Sequence, residues 1–335
     1  MKNLSLVFIA LITVISCTHA QPATGLHITN TFHIASAGGW DYLELGPVND
    51  WLYVSHGTQV NVLNKKTGDS VAVLENTTGV HGIAFDIADG KGFTSNGRLN
   101  TVTVFDINSN KVLAQISSGQ NPDAILYETF SKKIITCNGR SKNLSIINPQ
   151  LNRLIDSVDV GGKPETAVSD GAGKLFVNIE DKNEIVVVDT KTYKVINRWS
   201  IAPGDGPTGL ALDNATKRLF AGCDKLLMVI NADNGTIVDK LSIGDGCDGV
   251  AFDADTKNIF TSNGEGTVTV IHEENANKFM VIETIATKRG ARTITLDKKT
   301  HLLYLPTADF ETPDPNEKGR PKMKPGTFQV LVIGK

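Results

Sequence analysis

The sequence predicts an all-β protein, a closed seven-bladed β-propeller with four strands in each blade. Three observations carry this prediction. A unit of about 40 residues repeats along the chain, strand-like alternation fills each unit, and the final unit is one strand short while a matching strand stands at the other end.

The repeat is plainest in two copies. His81-Gly82-Ile83-Ala84-Phe85-Asp86 runs on to Gly92-Phe93-Thr94-Ser95-Asn96, and Cys247-Asp248-Gly249-Val250-Ala251-Phe252-Asp253 runs on to Ile259-Phe260-Thr261-Ser262-Asn263. Taking Trp40, His81, Pro122, Pro164, Pro207, Cys247 and Ala291 as the residues that open each unit gives spacings of 41, 41, 42, 43, 40 and 44. Thr101-Val102-Thr103-Val104-Phe105 and Glu184-Ile185-Val186-Val187-Val188 have the β-branched composition of pleated strands, and helix is nearly absent. Asn64, Asp106, Asn148, Asp189 and Asn231 after the third strands, and Asp86, Asp213, Asp253 and Asp297 after the first, read as turn residues whose side chains bond the backbone two residues on.

The seventh unit ends with its third strand, Phe328 to Ile333. The missing strand is expected from residues 27–34, because His27-Ile28-Thr29-Asn30-Thr31-Phe32-His33-Ile34 aligns without a gap on Lys194 to Ile201, the fourth strand of another unit. Pairing head to tail would close the ring and remove the exposed edges of an open array.

Lys2, the apolar run Leu4 to Ile15 and the small residues after it have the order of an export signal, too short to span a bilayer. Cleavage after Thr18-His19-Ala20 is the preferred reading, giving a signal peptide over 1–20 and one propeller domain over 21–335. Val14-Ile15-Ser16-Cys17 offers a second, a lipobox with Cys17 as a lipid anchor. The mature chain is therefore expected in the periplasm or outside the cell, as a monomer with no membrane span. Composition adds exclusions: 40% hydrophobic residues and a net charge of -3 argue against disorder and against nucleic acid as a partner.

Leu52-Tyr53-Val54-Ser55-His56, Gly92-Phe93-Thr94-Ser95-Asn96, Lys174-Leu175-Phe176-Val177-Asn178 and Asn258-Ile259-Phe260-Thr261-Ser262-Asn263, with the Gly-x-x-Pro approaches to Pro122, Pro164 and Pro207, resemble the Tyr-Val-Thr-Asn repeat of the YVTN or YncE-like β-propeller family. The resemblance covers nearly the whole chain after the signal. It implies the propeller fold and an exported binding protein. Related propellers include lactonases and an antibiotic-cleaving lyase.

In such a blade the start of the first strand and the end of the second meet at one mouth of the central channel. The first positions form a ring of Asp41, Gly82, Asp123, Glu165, Thr208, Asp248 and Arg292; the second, a ring of His56, Asn96, Asn138, Asn178, Cys223, Asn263 and Thr307. Four carboxylates against one guanidinium at a narrow mouth should have raised pKa values or recruit a cation. Asp41, Asp123, Glu165 and Asp248 are thus candidate ligands for a divalent cation or a cationic or polyhydroxylated small molecule. Asn96, Asn138, Asn178 and Asn263 would supply amide oxygens, with Arg292 a further ligand-binding residue; the competing reading gives the Asn set a purely structural role in turns.

His56 and His81 are the candidate bases, since His272 and His301 fall in apparent turns and His27 and His33 on the closing strand. Cys223 and Cys247 are expected close enough on the rim for a disulfide. Residues 309–326 form a proline-rich, charged insertion, read either as a cover or partner-docking loop at the mouth or as a solvated loop. Three functions follow: a non-catalytic exported protein that binds a small ligand, a cation or a protein at the mouth; a metal-assisted lactonase or lyase using His56 or His81; and a cell-envelope scaffold.

Overall fold

The computed structural model describes residues 24–312 and 322–335. The expected signal peptide, Cys17 and the middle of the proline-rich insertion lie outside the described residues. Seven four-stranded antiparallel sheets form the blades, spanning 40–74, 80–117, 122–159, 164–200, 210–242 and 247–286 for blades 1 to 6. Blade 7 joins Thr295–Asp297, Leu302–Thr307 and Gln329–Gly334 to the N-terminal strand His27–His33. The closing register runs from His27 opposite Gly334 to His33 opposite Gln329, so the chain ends share one sheet as expected.

The burial of each strand follows its place in the blade. Second and third strands, such as Lys174–Ile179 and Glu184–Asp189, are buried on both faces because a neighbouring blade covers each side, which is why they read as continuous apolar runs. Fourth strands, such as Arg153–Asp159, are mostly exposed and carry charges that discourage edge pairing. Seven hydrophobic clusters fill the seven joints, each drawn from two adjacent blades. Phe32 and Phe328 of blade 7 thus pack with Leu52 and Val54 of blade 1.

Turn chemistry accounts for the recurrent acids and amides. Asp106 Oδ1 accepts from the backbone N–H groups of Asn108 and Ser109 at 3.1 and 2.7 Å, and Asp189 does the same for Lys191 and Thr192. His301 does lie in a turn, with φ 58°, but His272 sits within the strand Thr267–Asn275 and its Nδ1 bonds Asn258 Oδ1 at 2.9 Å.

The pairing register moves two positions of the expected ring. The first strand of most blades carries a bulge just after its opening residue: Trp40 pairs with His56 but Leu43 with Val54, and Pro122 pairs with Asn138 but Ile125 with Thr136. In blade 2 the residue opposite Asn96 is Val80, not His81, and in blade 4 the residue opposite Pro164 is Ile179, not Asn178. A bulge places one extra residue against the partner strand and re-aims the side chain beside it. The true ring therefore reads Asp41, His81, Asp123, Glu165, Thr208, Asp248 and Arg292, with His81 in the place assigned to Gly82.

Candidate functional site: an acidic ring at one mouth of the channel

The ring is a connected set of side chains. His81 Nδ1 donates to Asp41 Oδ2 at 2.6 Å and lies 3.6 Å from Asp123 Oδ1. On the other side of Asp41, Arg292 donates through Nε to Asp248 Oδ2 at 2.6 Å, and its Nη2 stands 3.5 Å from Asp41 Oδ1. Lys163, at the start of blade 4, donates to Glu165 Oε1 at 2.6 Å and also pairs with Glu180. Asp41, Asp123 and Glu165 keep only 14, 13 and 12% of their side-chain surface exposed.

Burial is the main reason that Asp123, Glu165 and Asp248 resist ionisation. It pushes Asp123 up to about 7, with the charge of Asp41 adding to the effect and His81 opposing it. Glu165 is raised by burial and by Asp123, and Asp248 by burial against the pull of Arg292. For His81 burial works against protonation, but the bond from Asp41 and the charge of Asp123 outweigh it and hold its pKa above the ordinary value.

Hydroxyl groups hold the blades in place around the ring. Thr293 Oγ1 donates to the Asp41 carbonyl at 2.6 Å, Thr208 Oγ1 to the Cys247 carbonyl at 2.6 Å, and Ser262 Oγ to the Arg292 carbonyl at 2.5 Å. Each crosses from one blade to the next, so the ring side chains stand on a fixed backbone.

The structure brings together Asp41, His81, Asp123, Asp248 and Arg292, and places Glu165 with Lys163 beside them. It does not bring in the second ring. His56 is fully buried under Phe328, its ring stacked at 3.8 Å, with Nε2 donating to Gly38 O and Nδ1 bonded to Ser36. Burial lowers its pKa, and no ring carboxylate touches it.

The amides of Asn96, Asn138 and Asn263 are also fully buried and serve their own hairpins. Asn96 Nδ2, for instance, donates to Thr101 and Thr103. Asn178, one residue out of register, instead donates to the carbonyls of Thr208 and Gly209 in the next blade, both at 3.0 Å. Cys223 and Cys247 form no disulfide. Both are buried free thiols, turned toward carbonyls of their own strands, Ala221 and Gly249.

Three features of the site went unread in the sequence. Tyr42, next to Asp41, packs against the joint between blades 3 and 4, and burial and the surrounding carboxylates hold its hydroxyl protonated well above the ordinary range. Lys163 lies in the Gly-x-x-Pro approach to Pro164, which enters the sequence reading only as part of the repeat resemblance. The third is a cavity of about 600 Å³ that opens beside the ring, lined by Trp40, Asp248, Arg289, Arg292, Phe310 and Met323 among others. Phe310 and Met323 belong to the stem of the insertion, where they form an antiparallel bridge, so its described part does reach the mouth. At the far end of the channel a second space of about 620 Å³ is lined by Glu44, which burial pushes up to about 7.

Fold and site together define a seven-bladed propeller with an acidic axial mouth. No family model matches the chain, and no curated protein matches it. Among solved structures it is similar to one titled Kuenenia stuttgartiensis Hydrazine Synthase, at 13% identity and a TM-score of 0.71, over 82% of this chain and 94% of that one. At that identity the likeness is one of fold. No helix of the described residues is long and apolar enough to cross a membrane.

Proposed function

We propose that this chain is an exported binding propeller of the YVTN type that holds a divalent cation at its axial mouth through Asp41, His81 and Asp123. The carrying observation is that one imidazole nitrogen and one oxygen from each of two carboxylates lie within 4.8 Å of one another. Mixed imidazole and carboxylate donors suit zinc or manganese, and a cation would offset the carboxylates' loss of hydration. The proton now on His81 Nδ1 must leave before that nitrogen can bind a metal, so affinity should rise with pH. The signal-like segment 1–20 supports export, and the Tyr-Val-Thr-Asn-like strands support the family assignment.

The test is calorimetric titration of the purified protein with Zn²⁺, Mn²⁺ and Ca²⁺, repeated on Asp123→Ala and His81→Ala. One ion should bind per chain, more tightly at pH 8 than at pH 6, and each substitution should weaken binding at least about tenfold. Failure of all three ions to bind at millimolar concentration, or equal binding by folded variants, overturns the proposal.

A second reading, a metal-assisted lactonase or lyase, is favoured by one observation. His81 has Nδ1 on Asp41, while its Nε2 makes no hydrogen bond among the described residues, the arrangement of an oriented base; in this reading the ring carboxylates hold the cation and His81 does not ligate it. Hydrolysis of a lactone panel by the metal-loaded protein, lost in His81→Gln, would select this reading over simple binding.

A further inference from the structure

We propose that the 600 Å³ cavity beside the ring is a separate binding site for a flat aromatic carboxylate. It lies where blades 6, 7 and 1 meet, and its volume is that of an ordinary small-molecule site. Glycine occupies the rim position of five blades, at Gly206, Gly246, Gly290, Gly39 and Gly79; Arg98 crowds Gly79, and it is at Gly246, Gly290 and Gly39 that the position borders the cavity, with Phe310 closing in over Gly290. The equivalent residues of blades 3 and 4 are Asn121 and Lys163, whose side chains occupy the rim there. A Cβ at Gly39 would meet nothing within 4 Å, and one at Gly246 nothing nearer than 3.6 Å, so these positions open onto free space.

One wall is aromatic and rigid. Trp40 stacks on Phe328 with ring centroids 5.5 Å apart, and its Nε1 donates to the Gly290 carbonyl at 3.3 Å. Phe310 meets the same indole at 6.0 Å and 48°, and Met323 adjoins it across the hairpin bridge. Such a wall favours a planar apolar body.

Charge decides the remaining group. Arg292 is committed to Asp248 and Asp41, and Lys288 to Asp309 at 2.8 Å. Arg289, exposed at the rim, makes no ion pair among the described residues. A guanidinium with no carboxylate partner among the described residues matches one carboxylate on the ligand, in the paired geometry that arginine favours. Asp248 on the inner side repels that group, so the ligand would enter ring first with its carboxylate toward Arg289.

The test uses 2-naphthoate and 2-naphthylmethylammonium, the same ring with opposite charge, titrated calorimetrically in EDTA so that no divalent cation takes part. Naphthoate should bind one per chain, at least about tenfold tighter than the ammonium compound. Arg289→Gln should remove most of that preference, Gly39→Leu should abolish binding by filling the space, and Asp123→Asn should leave naphthoate binding unchanged. Equal or tighter binding of the ammonium probe, or undiminished naphthoate binding by Gly39→Leu with a native melting temperature, overturns the proposal. Because Asp123→Asn separates the two sites, failure here leaves the cation proposal standing, and the converse also holds.

Discussion

His81 Nδ1 and Asp41 Oδ2 meet at 2.6 Å across the joint between blades 1 and 2, with Asp123 Oδ1 of blade 3 only 3.6 Å from the same nitrogen. Three consecutive blades thus share one proton-bearing contact. Its protonation state couples the local charge of the mouth to the packing of the ring.

Stability should fall as pH rises through neutrality. Asp123, held at about 7 by burial, binds more protons in the folded than in the unfolded chain, so unfolding free energy decreases between about pH 4 and 7. His81, whose folded pKa is raised, adds stability that is full below its unfolded value and lost as pH rises through the folded one. The melting temperature of the metal-free protein should drop by a few degrees from pH 5 to pH 8, and Asp123→Asn should flatten the profile. A wild-type profile that is level or rises over this range contradicts the assignment.

Phe32→Ala should cost about 3–5 kcal/mol, the ordinary price of emptying a buried aromatic site. Phe32 is 4% exposed and anchors the closing strand against Tyr304, at 6.4 Å between ring centroids, and over Gly68. Denaturant titration measures this directly. Deleting residues 21–36 should be more severe still, and unchanged melting would show that closure contributes little.

Gly92→Ala should destabilise by about 1–3 kcal/mol through overpacking, since a Cβ there runs into the buried Phe105 ring. The same repeat position in blade 1 is Leu52, where no aromatic ring lies opposite. A neutral outcome in thermal melting would mean that the hairpin can shift its register to accommodate the methyl group.

Asn96→Ala should lower stability by about 1–3 kcal/mol while leaving cation binding unchanged. Its amide is buried among Thr94, Thr101 and Thr103 and faces no ring carboxylate. Parallel melting and calorimetry separate the two effects, and loss of binding without loss of stability would return the amide to the site.

Cys137, Cys223 and Cys247 should react with a thiol reagent only after unfolding. All three are buried, and burial raises their pKa values, Cys223 to about 12. Titration of native against denatured protein checks this.

The sequence displayed the blades well because each one is built from strong local signals: β-branched runs, Asx turns and a repeat of near-constant length. The missing strand of blade 7 was equally legible, since His27 to Ile34 copies a fourth strand of blade 4. The ring was legible in part. Asp41, Asp123, Glu165, Asp248 and Arg292 follow from the repeat; His81 belongs with them because Gly82 aligns with Gly249 and so His81 with Asp248, while Asn178 falls one place off because the second strand of blade 4 ends at Ile179. Trp40 and Phe310 escaped notice because their contact joins residues 270 positions apart, which no period predicts.

The closing ladder also has a mechanical consequence. His27 sits opposite Gly334, so both tethers leave blade 7 from the same end of the paired strands. A force applied to the two termini would open that ladder one bond at a time, like a zipper, rather than shear all its bonds together. The propeller should therefore yield at low force, and it should yield first at the seam that its own synthesis completes last.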